Sequence, residues 1–157
     1  CEFPLGRPDL HLLFEASWIH RPPPAAPPAA PGGWARVSTL NALTTWERAW
    51  KGSGSPTDAT MFGRSLLERP DVAFLAKWNG PAIVAGCIGN LSDDCIGLSN
   101  VFSTDAAGMT FAEAARAVAA LHPGLPIVGY ARGQDLAQAE AAGFDPVAPL
   151  RVFLMRR

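Results

Sequence analysis

Residues 96–144 read IGLSNVFSTDAAGMTFAEAARAVAALHPGLPIVGYARGQDLAQAEAAGF, and the changes of period along them decide the fold. The opening seven residues, IGLSNVF, predict a strand. After a polar loop, Phe111, Ala114, Ala115, Val118 and Leu121 recur at three- and four-residue spacing, the apolar stripe of a helix. Thr110 and Glu113 form a T-x-x-E capping-box pattern at its start, and Pro123 closes it. LPIVGY at 125–130 predicts a short buried strand. Asp135 opens a second helix, and Gly143 stands where a C-terminal glycine cap belongs. APLRVFLM at 148–155 supplies a last strand.

Upstream, VAFLAKW (72–78) and AIVAGCIG (82–89) flank Asn79-Gly80, a hairpin signal here lengthened by Pro81. Residues 71–102 therefore read as a three-stranded antiparallel meander. The helix after it carries the chain to a parallel neighbour, which implies a mixed sheet with helices on its faces. Residues 34–37 predict a short strand. Leu40, Leu43, Trp46 and Trp50 follow at helical spacing, with Ser38 and Thr39 as caps. Residues 52–60 predict a loop, and 59–68 a short helix stopped by Pro70. Residues 10–19 (LHLLFEASWI) predict a strand. The tract 22–31 holds six prolines in ten residues and favours polyproline II. It is either a docking site for a proline-recognising module or a stiff surface loop.

The 157 residues suffice for one domain that buries about 70% of its unfolded surface. At 48% apolar and 17% charged, the chain can offset its folding entropy by burial. A formal charge of −1 argues against nucleic acid as a partner. No apolar run is long enough for a membrane span, and the first residues do not pattern as a signal peptide. The three cysteines, Cys1, Cys87 and Cys95, match no zinc spacing and no disulfide framework, so a cytoplasmic location is the expectation.

This element order, with Gly143-Phe144 ending the second helix, resembles the GNAT superfamily of acyl-CoA-dependent N-acyltransferases. The resemblance implies an α+β fold, with a mostly antiparallel mixed central sheet and helices on both faces. It treats residues 1–157 as a single domain. Residues 1–33 are an N-terminal strand and proline-rich loop, 34–70 a first strand and helix pair, and 71–155 the core. It further implies that the strand before the long helix and the strand after it splay apart around an acyl-CoA arm. Carried over to this sequence, Val101 and Phe102 lie at the open strand end beside Asn100. The backbone at Val101 would hold the thioester carbonyl, as free amides stabilise an oxyanion. Ser103, Gly108, Met109 and Thr110 would receive the pyrophosphate. Acetyl-CoA is the implied cosubstrate, and a small-molecule or protein amine the implied acceptor. A homodimer is a further expectation.

The chain departs from the family pattern in this region. The phosphate loop reads STDAAGMT, in which only Gly108 matches the expected glycine-rich run. Residues 105–145 carry two arginines against five acids. The position where the family often places a tyrosine acid is Ala139, and its asparagine aligns with Arg132. Arg132 would contact a phosphate or simply be solvated. Tyr130, the chain's one tyrosine, is the replacement candidate for the acid, or else an aromatic cap on the core. Glu15, between Phe14 and Ala16, is the first candidate base if burial raises its pKa, with His20 second. The alternative for Glu15 is an exposed carboxylate on an edge strand. Asn100 would orient substrate or satisfy a backbone group at a bulge. Two functions stay open: an amine acyltransferase, and a binding or regulatory module on the same fold without CoA binding.

Overall fold

The computed structural model describes residues 10–54, 57–104 and 110–155, with the backbone alone for Thr110. Its strands are β1 (Leu10–Arg21), β2 (Trp34–Arg36), β3 (Val72–Asn79), β4 (Ala82–Leu91), β5 (Ile96–Ser103), β6 (Ile127–Ala131) and β7 (Asp145–Met155). The helices are α1 (Leu40–Gly52), α2 (Thr110–Leu121) and α3 (Gly133–Ala141). The strands form one sheet in the order β2-β3-β4-β5-β6-β1-β7. Every pairing is antiparallel except β5 with β6, the parallel pair that the α2 crossover predicts.

Alternation along the strands divides the core in two. On one face Leu75, Ala85, Cys87, Ile96, Leu98 and Ile127 pack under the apolar stripe of α2 and the buried Ala139 of α3. On the other, Phe74, Ala76, Ile83, Ile88 and Phe102 pack under Leu43 and Trp46 of α1. Thr39 caps α1 as expected, its hydroxyl accepting from the Ala42 N–H at 3.2 Å. Trp46 is fully buried and donates its indole N–H to the Leu75 carbonyl at 2.9 Å. Phe62, Phe74 and Phe102 meet its ring edge-on at 5.1–5.4 Å. Gly86 makes this possible. A Cβ there would lie 2.5 Å from both Phe102 and the Trp46 nitrogen.

Three local expectations are corrected. The strand at 10–19 is longer and lies between β6 and β7, so it is no edge strand. The helix expected over 59–68 is a single 3-10 turn, Arg64–Glu68. Glu47 explains why: its buried carboxylate accepts from the Met61 N–H at 2.8 Å and draws that segment onto α1 in an extended form. Burial alone would raise the Glu47 pKa, but the Met61 and Phe62 N–H groups and Lys51, 3.0 Å away, outweigh it and hold it below the ordinary value. The Thr110 side chain of the T-x-x-E pattern lies outside the described residues. Glu113 accepts from Lys77 at 2.8 and 3.0 Å and from the Trp34 indole at 3.2 Å, tying α2 to β3 and β2. Finally, β7 starts at Asp145 and runs through Pro146 and Pro149, which an edge strand tolerates.

The proline-rich tract adopts no regular helix or strand. Pro22, Pro24 and Pro28 close over Arg116 and Ala119 of α2, around a cavity of about 140 Å³. Most of the tract is exposed, with Pro24, Pro28 and Pro31 partly covered.

Gly86→Ala is expected to destabilise the fold by about 1–3 kcal/mol, because the clash is with buried rings that cannot swing aside; urea denaturation measures it. Glu113 gives a pH signature. Its hydrogen bond from Lys77 holds its pKa below the ordinary 4.5, so its stabilising effect is complete above that value and is lost as pH falls through the lowered one. The stability advantage of the wild type over Glu113→Gln, followed by denaturation at a series of pH values, is expected to be flat near neutrality and to shrink on acidification.

Candidate active-site cleft

The site begins with one extra residue. In the β4–β5 ladder Ile88 faces Ser99 and Gly86 faces Phe102, so Cys87 alone stands against Asn100 and Val101. This is a β-bulge, and Asn100 carries it at φ 50, in the left-handed region that asparagine tolerates better than most residues. A bulge bends and twists its strand. The end of β5 nonetheless stays on β4, where the Thr104 N–H donates to the Val84 carbonyl at 2.9 Å.

What β5 leaves is β6. Their parallel ladder consists of Ile96 with Ile127, Gly97 with Val128, and Leu98 with Gly129, and it stops there. Beyond it, Tyr130 and Ala131 pair only with Trp18 and Ser17 of β1. Residues 99–103 of β5 thus have a strand neighbour on one side alone. Gly129 sits at the crotch, where a Cβ would come within 2.7 Å of the Leu98 carbonyl oxygen.

The gap opens a cleft of about 370 Å³. Leu98, Phe111 and Ala131 from the α2 side line it together with Trp50 and Phe102 from the α1 side, so it passes through the sheet. Asn100, Val101, Phe102, Tyr130 and Arg132, which the sequence singled out, all border it. The Asn100 side-chain N–H donates to the Ser99 hydroxyl at 3.2 Å. Phe111, on the first turn of α2, brings that helix start to the cleft. Ser103 sits just past the bulge and donates to the Val84 carbonyl at 3.4 Å. Gly108 and Met109 lie outside the described residues, as does the Thr110 side chain.

Two expected roles find no support in this geometry. Glu15 is not buried: its side chain is 67% exposed and lies 3.6 Å from Arg151 across the strand pair. Strand alternation explains this, since Phe14 takes the cleft-facing position and its neighbour must point away. His20 pairs with Val128 and Asp145 and does not line the cleft. Arg132 is exposed at the cleft rim, and its guanidinium lies 4.6 Å from the Phe14 ring centroid. Ala139 is fully buried, so a tyrosine there would have to displace core. Phe14, Trp50 and Asp135 complete the lining. Alternation along 10–19 was the signal for Phe14, but which face would meet the cleft was set by the pairing of β1 with β6.

Cys87 is fully buried on β4, and burial drives its thiol pKa up, which suits a packing residue and not a nucleophile. Among the described residues no cluster of His, Cys, Asp or Glu is arranged to hold a metal ion, and no helix is long and apolar enough to cross a membrane.

The fold is shared with solved structures. A GCN5-related N-acetyltransferase from Kribbella flavida superposes with a TM-score of 0.62 at 20% identity, over 94% of this chain and 60% of that one. The chain has the GNAT fold. A GCN5-related N-acetyltransferase from Sphaerobacter thermophilus gives 0.63 at 12% identity, over 95% of this chain and 53% of that one. A conserved protein of unknown function from Staphylococcus epidermidis gives 0.66 at 10% identity, over 96% and 64%. The chain thus spans between about half and two thirds of the length of these GNAT-fold proteins. No family model and no curated protein matches its sequence.

Gly129→Ala tests the crotch. The new methyl group meets backbone, so the short parallel ladder must yield. Hydrogen exchange is expected to quicken at 96–98 and 127–129 and to stay unchanged in the β3–β4 hairpin.

Proposed function

We propose that this domain binds an acyl-CoA thioester in the cleft between β5 and β6 and transfers the acyl group to an amine. The observation that carries the reading is the parting of the two strands at Leu98 and Gly129, beside a bulge centred on Asn100. The apolar lining, Leu98, Val101 and Phe111, suits a narrow thioester arm next to strand backbone that has no partner on one side. The first N–H groups of α2, which have no intrahelical acceptor, suit a phosphate.

When bound, the thioester supplies an activated acyl carbon: the amine nitrogen forms the new C–N bond and gives up a proton, the C–S bond breaks, and the sulfur gains a proton. The remaining work belongs to the chain. Backbone donors of β5 beyond the bulge polarise the carbonyl. Tyr130 lines the cleft with half of its surface exposed and is the phenol placed to protonate the departing sulfur. Asn100 orients the incoming amine. With Glu15 turned away, the described lining offers Asp135 as its carboxylate and Arg132 as its cation.

The second reading, a binding module without CoA, is favoured by one observation: the two arginines against five acids over 105–145. Thermal denaturation with acetyl-CoA separates the two. Ligand at a hundred times its Kd is expected to stabilise the fold by about 2.7 kcal/mol, with a matching rise in Tm. Tyr130→Phe is expected to keep that rise and lower kcat by about a hundredfold. No shift at millimolar acetyl-CoA would favour the module.

A further inference from the structure

A second cavity lies on the α2 side of the sheet and shares no lining residue with the cleft. Arg21, the last residue of β1, frames it with Arg116 of α2 and Ile127 at the start of β6, under Pro22, Pro24 and Pro28. Arg21 and Ile127 pair across the two strands, so the cavity sits at the opposite end of β6 from Tyr130 and Ala131, which border the cleft. Its volume, about 140 Å³, approaches that of an apolar protein cavity that takes benzene, about 150 Å³.

The charges that line this cavity are of one sign. Among the described residues neither arginine makes an ion pair or a hydrogen bond. Arg21 is partly buried, and its guanidinium is held 5.9 Å from the centroid of the Phe144 ring. Arg116 is exposed at the rim. Glu113, one turn earlier on α2, feels the Arg116 charge but bonds to Lys77 and Trp34. Prolines offer no N–H, which leaves the two guanidinium groups as the donors that the wall presents.

We propose that this cavity binds a small carboxylic acid, its branched or cyclic apolar body under the prolines and its carboxylate on Arg21 and Arg116. The assignment does not rest on acyl transfer. The planar donor fork of arginine matches a carboxylate. An amine would be repelled by both cations, and a neutral apolar molecule would leave them unpartnered. Inorganic phosphate would leave the apolar wall, Ala119 and Ile127, uncovered.

The test compares 3-methylbutanoate with 3-methylbutanamide, which share a shape and differ in charge. Each is titrated into the isotope-labelled whole chain at neutral pH and followed by backbone amide shifts. The acid is expected to bind about tenfold more tightly, the range of a charge-assisted hydrogen bond, and to move the amides of 19–21, 115–119 and 127–128. Added salt should weaken the acid alone. Arg21→Gln and Arg116→Gln should each weaken the acid by about three- to tenfold and leave the amide within about twofold. Arg116 is exposed on its helix, so that variant carries the test should Arg21→Gln fail to fold. Equal affinity for acid and amide overturns the proposal, as does acid binding that the folded variants leave unchanged. Shifts confined to the cleft residues 98–102 and 130–132 overturn it too, as does the absence of shifts at about 50 mM acid. Inorganic phosphate that binds as tightly as the acid overturns the choice of a carboxylate.

Discussion

One surplus residue in β5 organises the molecule. Opposite Cys87 the strand spends two residues, Asn100 and Val101, where β4 spends one. The strand must bend there, and since its end remains fastened to β4 through Thr104 and Val84, it bends away from β6. The sheet becomes two wings, β2 to β5 on one side and β6, β1 and β7 on the other, joined by three residue pairs. Backbone polar groups without a ladder partner are costly unless something else satisfies them. A cleft that exposes them to water or to a ligand is the stable outcome. Asn100 holds a left-handed backbone at the bulge, and on the partner strand Gly86 leaves room for the rings of Phe102 and Trp46.

The β6 wing exists in this form because β1 enters it from the opposite end of the sequence. Without β1, Tyr130 and Ala131 would lack any strand partner, and β7 would have nothing to pair with. β1 also carries Phe14 to the cleft. The same strand thus completes the sheet and supplies part of the site wall, and its alternation sends Glu15 to Arg151 on the far face. Polar side chains elsewhere act as fasteners between elements. Glu113 joins α2 to β2 and β3, and Glu47 pins the segment after α1. Each is a carboxylate at an interface whose donors lie far away in sequence.

A fold shared at 10–20% identity does not fix a reaction. The weight therefore rests on what this chain places at its own cleft. Its apolar side faces α2, Trp50 and Phe102 face α1, and Asn100 and Tyr130 stand between them. The proposed transfer draws on that asymmetry, since it would bring two reactants together in one cleft. On the proposed reading, the eroded glycine pattern of 103–110 would bear on phosphate binding. The strand parting, which opens the cleft, lies at Leu98 and Gly129 instead.

The sequence by itself determined the elements and their order from residue 34 onward. Helical and strand periods, the Asn79-Gly80 turn and the Gly143 cap are local signals, and local backbone preference obeys them. From that order came the parallel β5–β6 pair, while the place of Asn100, Val101, Phe102 and Tyr130 at its open end came from the family resemblance that the order supports. Tertiary structure decided the rest. It inserted β1 between β6 and β7, turned Phe14 in and Glu15 out, tied Glu113 to Lys77, and drew the segment before Arg64 onto Glu47. The physical reason is common to all four. Each outcome depends on a partner outside the residue's own element, and such a contact is settled only when packing brings that partner within bonding range.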